Sequence, residues 1–139
     1  MITIGDFIYS GTANKLDINN TPDEETKKNC IEFIRVAVEP LEDLFFPYHL
    51  VLHSGYRCKE LNDTLKGKKN SQHLKGNAID FHVDGFLLEQ AYRVIKNSSL
   101  FYDQLILEGK EGHQWIHMSF DTSKPASGQR KQSMELPDA

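Results

Sequence analysis

Ser71-Gln72-His73-Leu74-Lys75-Gly76-Asn77-Ala78-Ile79-Asp80-Phe81-His82-Val83 is the stretch from which the fold and the chemistry are read. From Asn77 to Val83 it alternates as a half-buried strand does. Ile79, Phe81 and Val83 point one way; Ala78, Asp80 and His82 point the other. The first set reads as core and the second as a polar face. His73 and Asp80 are separated by an odd number of residues, so one regular strand cannot place both on the same face. His73 is therefore expected on the loop before the strand, with Gly76 easing the turn.

A second imidazole stands far along the chain, at His117 in Gln114-Trp115-Ile116-His117. Two imidazoles and a carboxylate suit Zn²⁺ and leave a coordination position for water, the pattern of a catalytic site. Asp80 and His117 both fall among apolar neighbours, where an unpaired polar group is costly. The competing reading is that these are ordinary hydrogen-bonded side chains, as most of six histidines in a chain would be. The ligand set also suits other divalent ions.

Outward from this stretch the elements are helices and hairpin strands. Thr21-Pro22-Asp23-Glu24 predicts a helix start with Thr21 as cap, and Cys30, Phe33, Ile34, Ala37, Leu41, Leu44 and Phe45 predict its buried face. Pro40 should kink or divide that helix. Tyr48 to His53 reads as a strand, Cys58 to Leu65 as a short helix, and Lys66 to Asn70 as a basic mobile loop. Asp84 can cap a helix from about Phe86 to Lys96 that buries Leu87, Leu88, Ala91, Val94 and Ile95. Asp103 to Glu108 and Gln114 to Phe120 read as a hairpin, with Ile116, Met118 and Phe120 toward the core. Residues 1–20 look like an irregular arm with at most one short strand. No regular βαβ alternation is present, so the expected class is α+β: a small antiparallel sheet with helices on one face, in a single domain. The division expected is a domain over residues 1–120 and a flexible tail over 121–139.

The totals agree with one globular domain. The chain has 139 residues, 39% hydrophobic and 26% charged, and a net charge of -4 from 16 basic and 20 acidic residues. This balance offers no attraction to a polyanion and excludes nucleic acid as a main partner. Cys30 and Cys58 form no CxxC and are expected as small thiols rather than a disulfide. The N-terminus has no basic leader, and no run is long enough for a membrane span. The expectation is synthesis in the cytoplasm without a signal peptide.

Ser71-x-His73-x-x-Gly76-x-Ala78-x-Asp80 followed by Trp115-x-His117 resembles the zinc D-Ala-D-Ala carboxypeptidase family, which includes D-Ala-D-Ala dipeptidases and phage L-alanyl-D-glutamate endolysins. Ser54-Gly55-Tyr56-Arg57 and Asp103-Gln104-Leu105-Ile106 are similar to its smaller phage and prophage branch, and the resemblance spans about Phe7 to Phe120. It implies a peptidase acting on peptidoglycan stem peptides, with one Zn²⁺ held by His73, Asp80 and His117. It further implies that Arg57 holds the scissile carbonyl or its oxyanion and that Ser71 hydrogen-bonds substrate. The blander readings are a surface ion pair for Arg57 and a loop brace for Ser71. His82 reads either as a partner of the ligands or as a solvated histidine.

The family places an acidic residue three positions before the last histidine. Here that position is Gln114, which cannot take a proton. Glu108, at the end of the neighbouring strand, is the candidate general base, with Glu111 and His113 weaker ones; a charge at a hairpin end is the alternative. Gln114 also supports a different class of function, a non-catalytic zinc-containing module that binds the wall or serves structure. The missing signal, joined to the resemblance, implies a phage-encoded or virion-associated protein that acts on the wall after release. The bond cut and the oligomeric state are not written in the sequence.

Overall fold

A computed structural model describes residues 1–110 and 112–136. The short helices α1 (Ile4–Ile8) and α2 (Gly11–Lys15) replace the irregular arm expected at the N-terminus. The signals are local: Thr3 accepts the Asp6 N–H while the Asp6 carboxylate accepts the Thr3 N–H, and Ser10 accepts from Ala13. Asn20 then ties the arm down. Its amide donates to the carbonyls of Ile8 and Tyr56 and accepts from the Cys58 N–H.

Helix α3 (Glu24–Phe33) is capped by Asp23, which accepts from the Thr26 N–H at 2.8 Å, two residues later than the Thr21 cap expected. A carboxylate at the positive helix end is the stronger acceptor, and Pro22 stays outside the helix. A π turn, Ile34–Val38, joins α3 to α4 (Glu39–Phe45). Glu39 reaches back five residues to the Ile34 carbonyl. This shift lets Pro40, which has no N–H to give, sit in the first turn of α4. Cys30, Phe33, Ala37, Leu41 and Phe45 are all buried along this unit.

Five strands form one sheet in the order β1-β2-β4-β3-β5: β1 (Leu50–Ser54), β2 (Ala78–Val83), β3 (Gln104–Lys110), β4 (His113–Ser119) and β5 (Gln132–Glu135). Helix α5 (Lys59–Thr64) follows β1, and α6 (Leu88–Lys96) follows β2. The class is α+β, as expected. Ile79, Phe81, Val83, Leu105, Ile116 and Met118 share one cluster with residues of α3, α4 and α6. Burying such side chains contributes roughly 1.5–3 kcal/mol each relative to exposure, so the alternation of the strands is what fixes their register. Helix α6 starts at Leu88, later than Asp84 suggested. Its buried stripe is Ala91, Tyr92 and Ile95, which leaves Leu87 and Val94 exposed.

Residues 121–136 are not the flexible tail that the polar sequence suggested. They turn through a 3₁₀ segment, Ala126–Gly128, and add β5 to the sheet parallel to β3, so the sheet is mixed. Ladder bonds come from the backbone, and one exposed edge strand needs no apolar alternation. Residues 137–139 lie outside the described residues. Among those described, no helix is long and apolar enough to cross a membrane. Both cysteines are free; burial pushes the Cys30 thiol up to about 11, leaving it protonated at neutral pH.

The 3₁₀ turn Gln72–Lys75 precedes β2 and ends at Gly76, whose φ is +73°. A Cβ there would lie 2.5 Å from Cys30 Sγ and 3.2 Å from the Cys30 backbone nitrogen. Gly76→Ala should therefore cost about 1–2 kcal/mol for the backbone conformation, with the clash in addition. A lowered unfolding midpoint in urea checks this; an unchanged midpoint would show that the turn accepts a side chain.

Candidate metal centre

Sequence order scatters the site residues, and three backbone devices gather them. In the first, antiparallel pairing places Asp80 of β2 directly opposite His117 of β4. The second is the 3₁₀ turn, which brings His73 in from outside the strand, as the odd spacing requires. Its N-terminus is capped by Ser71, whose hydroxyl accepts the His73 N–H at 3.2 Å. Third, the turn after β1 supplies the supports. Ser54 accepts from Arg57 Nε at 2.9 Å, and the Gly55 carbonyl accepts from His73 Nδ1 at 2.7 Å. The Tyr56 N–H goes to the Phe7 carbonyl, an approach so close that a Cβ on Gly55 would lie 2.3 Å from that oxygen. Each residue of Ser54-Gly55-Tyr56-Arg57 thus has its own task.

Ligating atoms of His73, Asp80 and His117 lie within 4.8 Å of one another, and all three residues are buried. Hydrogen bonds on the far side of each ring decide which nitrogen is left for a ligand. His73 donates from Nδ1 to Gly55, so Nε2 is the bare nitrogen, 3.2 Å from Asp80 Oδ2. His117 Nε2 faces the Gln72 carbonyl oxygen at 3.3 Å, leaving Nδ1 bare at 2.9 Å from Asp80 Oδ1. A ring nitrogen held to a carbonyl in this way must carry the proton. Two lone pairs and a carboxylate then converge, all acceptors. Such a set is repulsive unless a cation lies among them, and its composition fits Zn²⁺ with positions left open.

Burial opposes ionisation of the Asp80 carboxyl. When protons rather than a cation occupy the facing nitrogens of His73 and His117, the His73 charge and the hydrogen bonds from both rings outweigh burial and hold the group far below the usual carboxylate range. Arg57 Nη2 adds a bond to Asp80 Oδ2 at 3.1 Å and Nη1 one to Asn62 at 3.4 Å. Asn62, fully buried on α5, also donates to the Lys68 carbonyl and so ties the basic loop to the same arginine.

Arg57, Ser71, His73, Asp80, Glu108 and His117 all line one open cleft of about 550 Å³. Glu108 pairs across the hairpin with Trp115, two positions before His117, and its Oε1 lies 3.8 Å from His117 Nδ1. Gln114 pairs with Gly109, is exposed, and faces away from His117 by the alternation of β4. His113 is exposed at the hairpin end; Glu111 lies outside the described residues. His82 shares the Asp80 face, but its partner is His53, with Nδ1 2.6 Å from His53 Nε2, rather than a member of the triad. Lys66, Lys68 and Arg130 give the cleft a cationic rim.

Sequence reasoning gave no role to Asn62, Gln72, Asp103 or Arg130. Asn and Gln leave no pattern, and Arg130 sits in a stretch read as tail. Asp103 stands within Asp103-Gln104-Leu105-Ile106, a stretch whose likeness to the family names no role for it. Compared with known families, the chain matches the family model described as Peptidase M15 over residues 8–119. No curated protein matches it.

Proposed function

The chain belongs to the Peptidase M15 family of zinc-dependent peptidases, and from that premise we propose that it hydrolyses bonds involving D-amino acids in peptidoglycan stem peptides. The observation that carries the reading is the convergence of His73, Asp80 and His117, with the Glu108 carboxylate 3.8 Å from His117 Nδ1 on the same cleft. In this reading His73 Nε2, an Asp80 oxygen and His117 Nδ1 would hold one Zn²⁺. When bound, the ion polarises the scissile carbonyl and brings the pKa of a water to about 7.

The protein's own groups do the rest. Glu108 Oε1 takes the proton of the attacking water and later delivers it to the nitrogen of the departing amine. Arg57 has donors left over beside the cleft after binding Ser54, Asn62 and Asp80. We assign these to the oxyanion of the tetrahedral species. Ser71 accepts the His73 N–H and keeps its own O–H to donate to a substrate carbonyl. Lys66 and Lys68 on the rim suit a carboxylate of the stem peptide. Delivery after release, from a phage-encoded gene or on a virion, accompanies this reading.

Gln114 was the feature favouring a non-catalytic wall-binding module. Turned away from His117, it gives that reading no support. Purified peptidoglycan incubated with zinc-loaded protein, and with chelated protein beside it, tests the proposal. Zinc-dependent release of free amines is expected. Product masses separate a carboxypeptidase, which frees a terminal D-alanine, from an endopeptidase, which frees larger fragments. Absence of cleavage with a full equivalent of zinc bound would overturn the enzyme reading in favour of the binding module.

A further inference from the structure

His117 Nε2 faces Gln72 Oε1 at 3.3 Å, and the other end of that amide, Nε2, donates to Asp103 Oδ2 at 2.9 Å. Arg130 then closes on Asp103 with two bonds, Nε to Oδ1 at 2.8 Å and Nη2 to Oδ2 at 2.9 Å. A glutamine amide can turn either end to a partner. An ionised carboxylate, which only accepts, allows just one orientation: NH₂ toward Asp103 and the carbonyl toward His117. The Arg130 bonds hold the Asp103 carboxyl below its ordinary range, so it stays ionised at neutral pH.

Arg130 is placed by backbone, not chance. Lys131 donates to the Tyr102 carbonyl and Gln132 to the Asp103 carbonyl, at the start of the β3–β5 pairing. Arg130 and β5 both lie beyond residues 8–119, which the family model matches. We infer that Gln72, Asp103 and Arg130 form a positioning chain that turns His117 so that Nδ1 is its ligand atom, and that the segment after Ser119 thereby completes the metal centre of this protein. The inference rests on the reading of His73, Asp80 and His117 as that centre. It assigns the three residues no contact with the reacting atoms.

Zinc affinity, measured by competition with a chromophoric chelator, tests the chain together with the ¹H–¹⁵N signal of His117 Nε2–H in the zinc-loaded protein. Asp103→Asn keeps the volume but removes the acceptor-only end, so the Gln72 amide is free to turn. It should weaken zinc about 10–100-fold, the range for loss of a ligand's hydrogen-bond partner, and speed exchange of the His117 proton. Arg130→Met should act in the same direction. Arg130→Lys should restore part of the affinity, since lysine returns the charge without the two-pronged geometry.

If Asp103→Asn does not fold, Gln72→Met, similar in length and leaving the Asp103–Arg130 pair intact, is read in its place. A merely structural role would lower the unfolding midpoint and leave affinity and proton signal alone; that result overturns the inference. Wild-type protein that binds no zinc would overturn the metal centre and the chain with it. Zinc-binding wild type beside unaffected variants would overturn the chain only.

Discussion

Glu108→Gln lowers turnover by about 10²–10⁴-fold, the range expected for loss of a general acid–base, while zinc occupancy stays complete. The substitution keeps shape and hydrogen-bonding length but removes the proton-accepting group. Glu108 is partly exposed and lines the cleft without closing the ligand triangle, so its loss should leave the metal in place. Turnover and metal content must be read from the same preparation. A loss confined to turnover marks Glu108 as the base. Unchanged turnover removes it from the mechanism and leaves the hairpin-end charge as its role. Loss of zinc together with turnover would make it a ligand instead, although the group of mutually close ligand atoms is His73, Asp80 and His117 without Glu108.

His73→Ala abolishes activity and weakens zinc by more than the roughly 10–100-fold that a ligand's hydrogen-bond partner is worth. It removes a nitrogen held toward Asp80 by the bond from the other ring nitrogen to the Gly55 carbonyl. His82→Ala is the matched control, because His82 partners His53 and not the triad. Zinc content by mass spectrometry under native conditions separates the two variants. An inactive His73→Ala protein retaining full zinc would contradict its assignment as a ligand.

The parts of the molecule legible in the sequence are those that repeat or that carry chemistry. Alternation over Asn77 to Val83 and over Gln114 to Phe120 gives the core face and the site face together, because burial acts on alternate residues. The odd spacing of His73 and Asp80 places His73 on a turn, and Gly76 marks where that turn ends. Features held by the backbone or by single hydrogen bonds leave little trace. β5 is Gln132-Ser133-Met134-Glu135, with no apolar alternation, and it is held to β3 by the main-chain ladder and one amide bond from Gln104 to Gln132. The Thr3–Asp6 box and the Ser10 cap start helices too short for any periodicity to declare. Asp23 wins over Thr21 as cap by the strength of one carboxylate bond, which spacing cannot rank. Gln72 stands beside His73 in the stretch that decides the fold, yet its task depends on Asp103, which is remote in sequence and adjacent only after folding.

In the proposed reading His73 Nε2, Asp80 and His117 Nδ1 together hold a catalytic zinc ion. X-ray absorption at the zinc edge of the zinc-loaded protein tests it most directly. One zinc per chain is expected, with imidazole nitrogen and oxygen neighbours at about 2.0–2.2 Å and no sulfur. A sulfur shell at about 2.3 Å, which would implicate Cys30 or Cys58, or a spectrum without imidazole scattering, would contradict it.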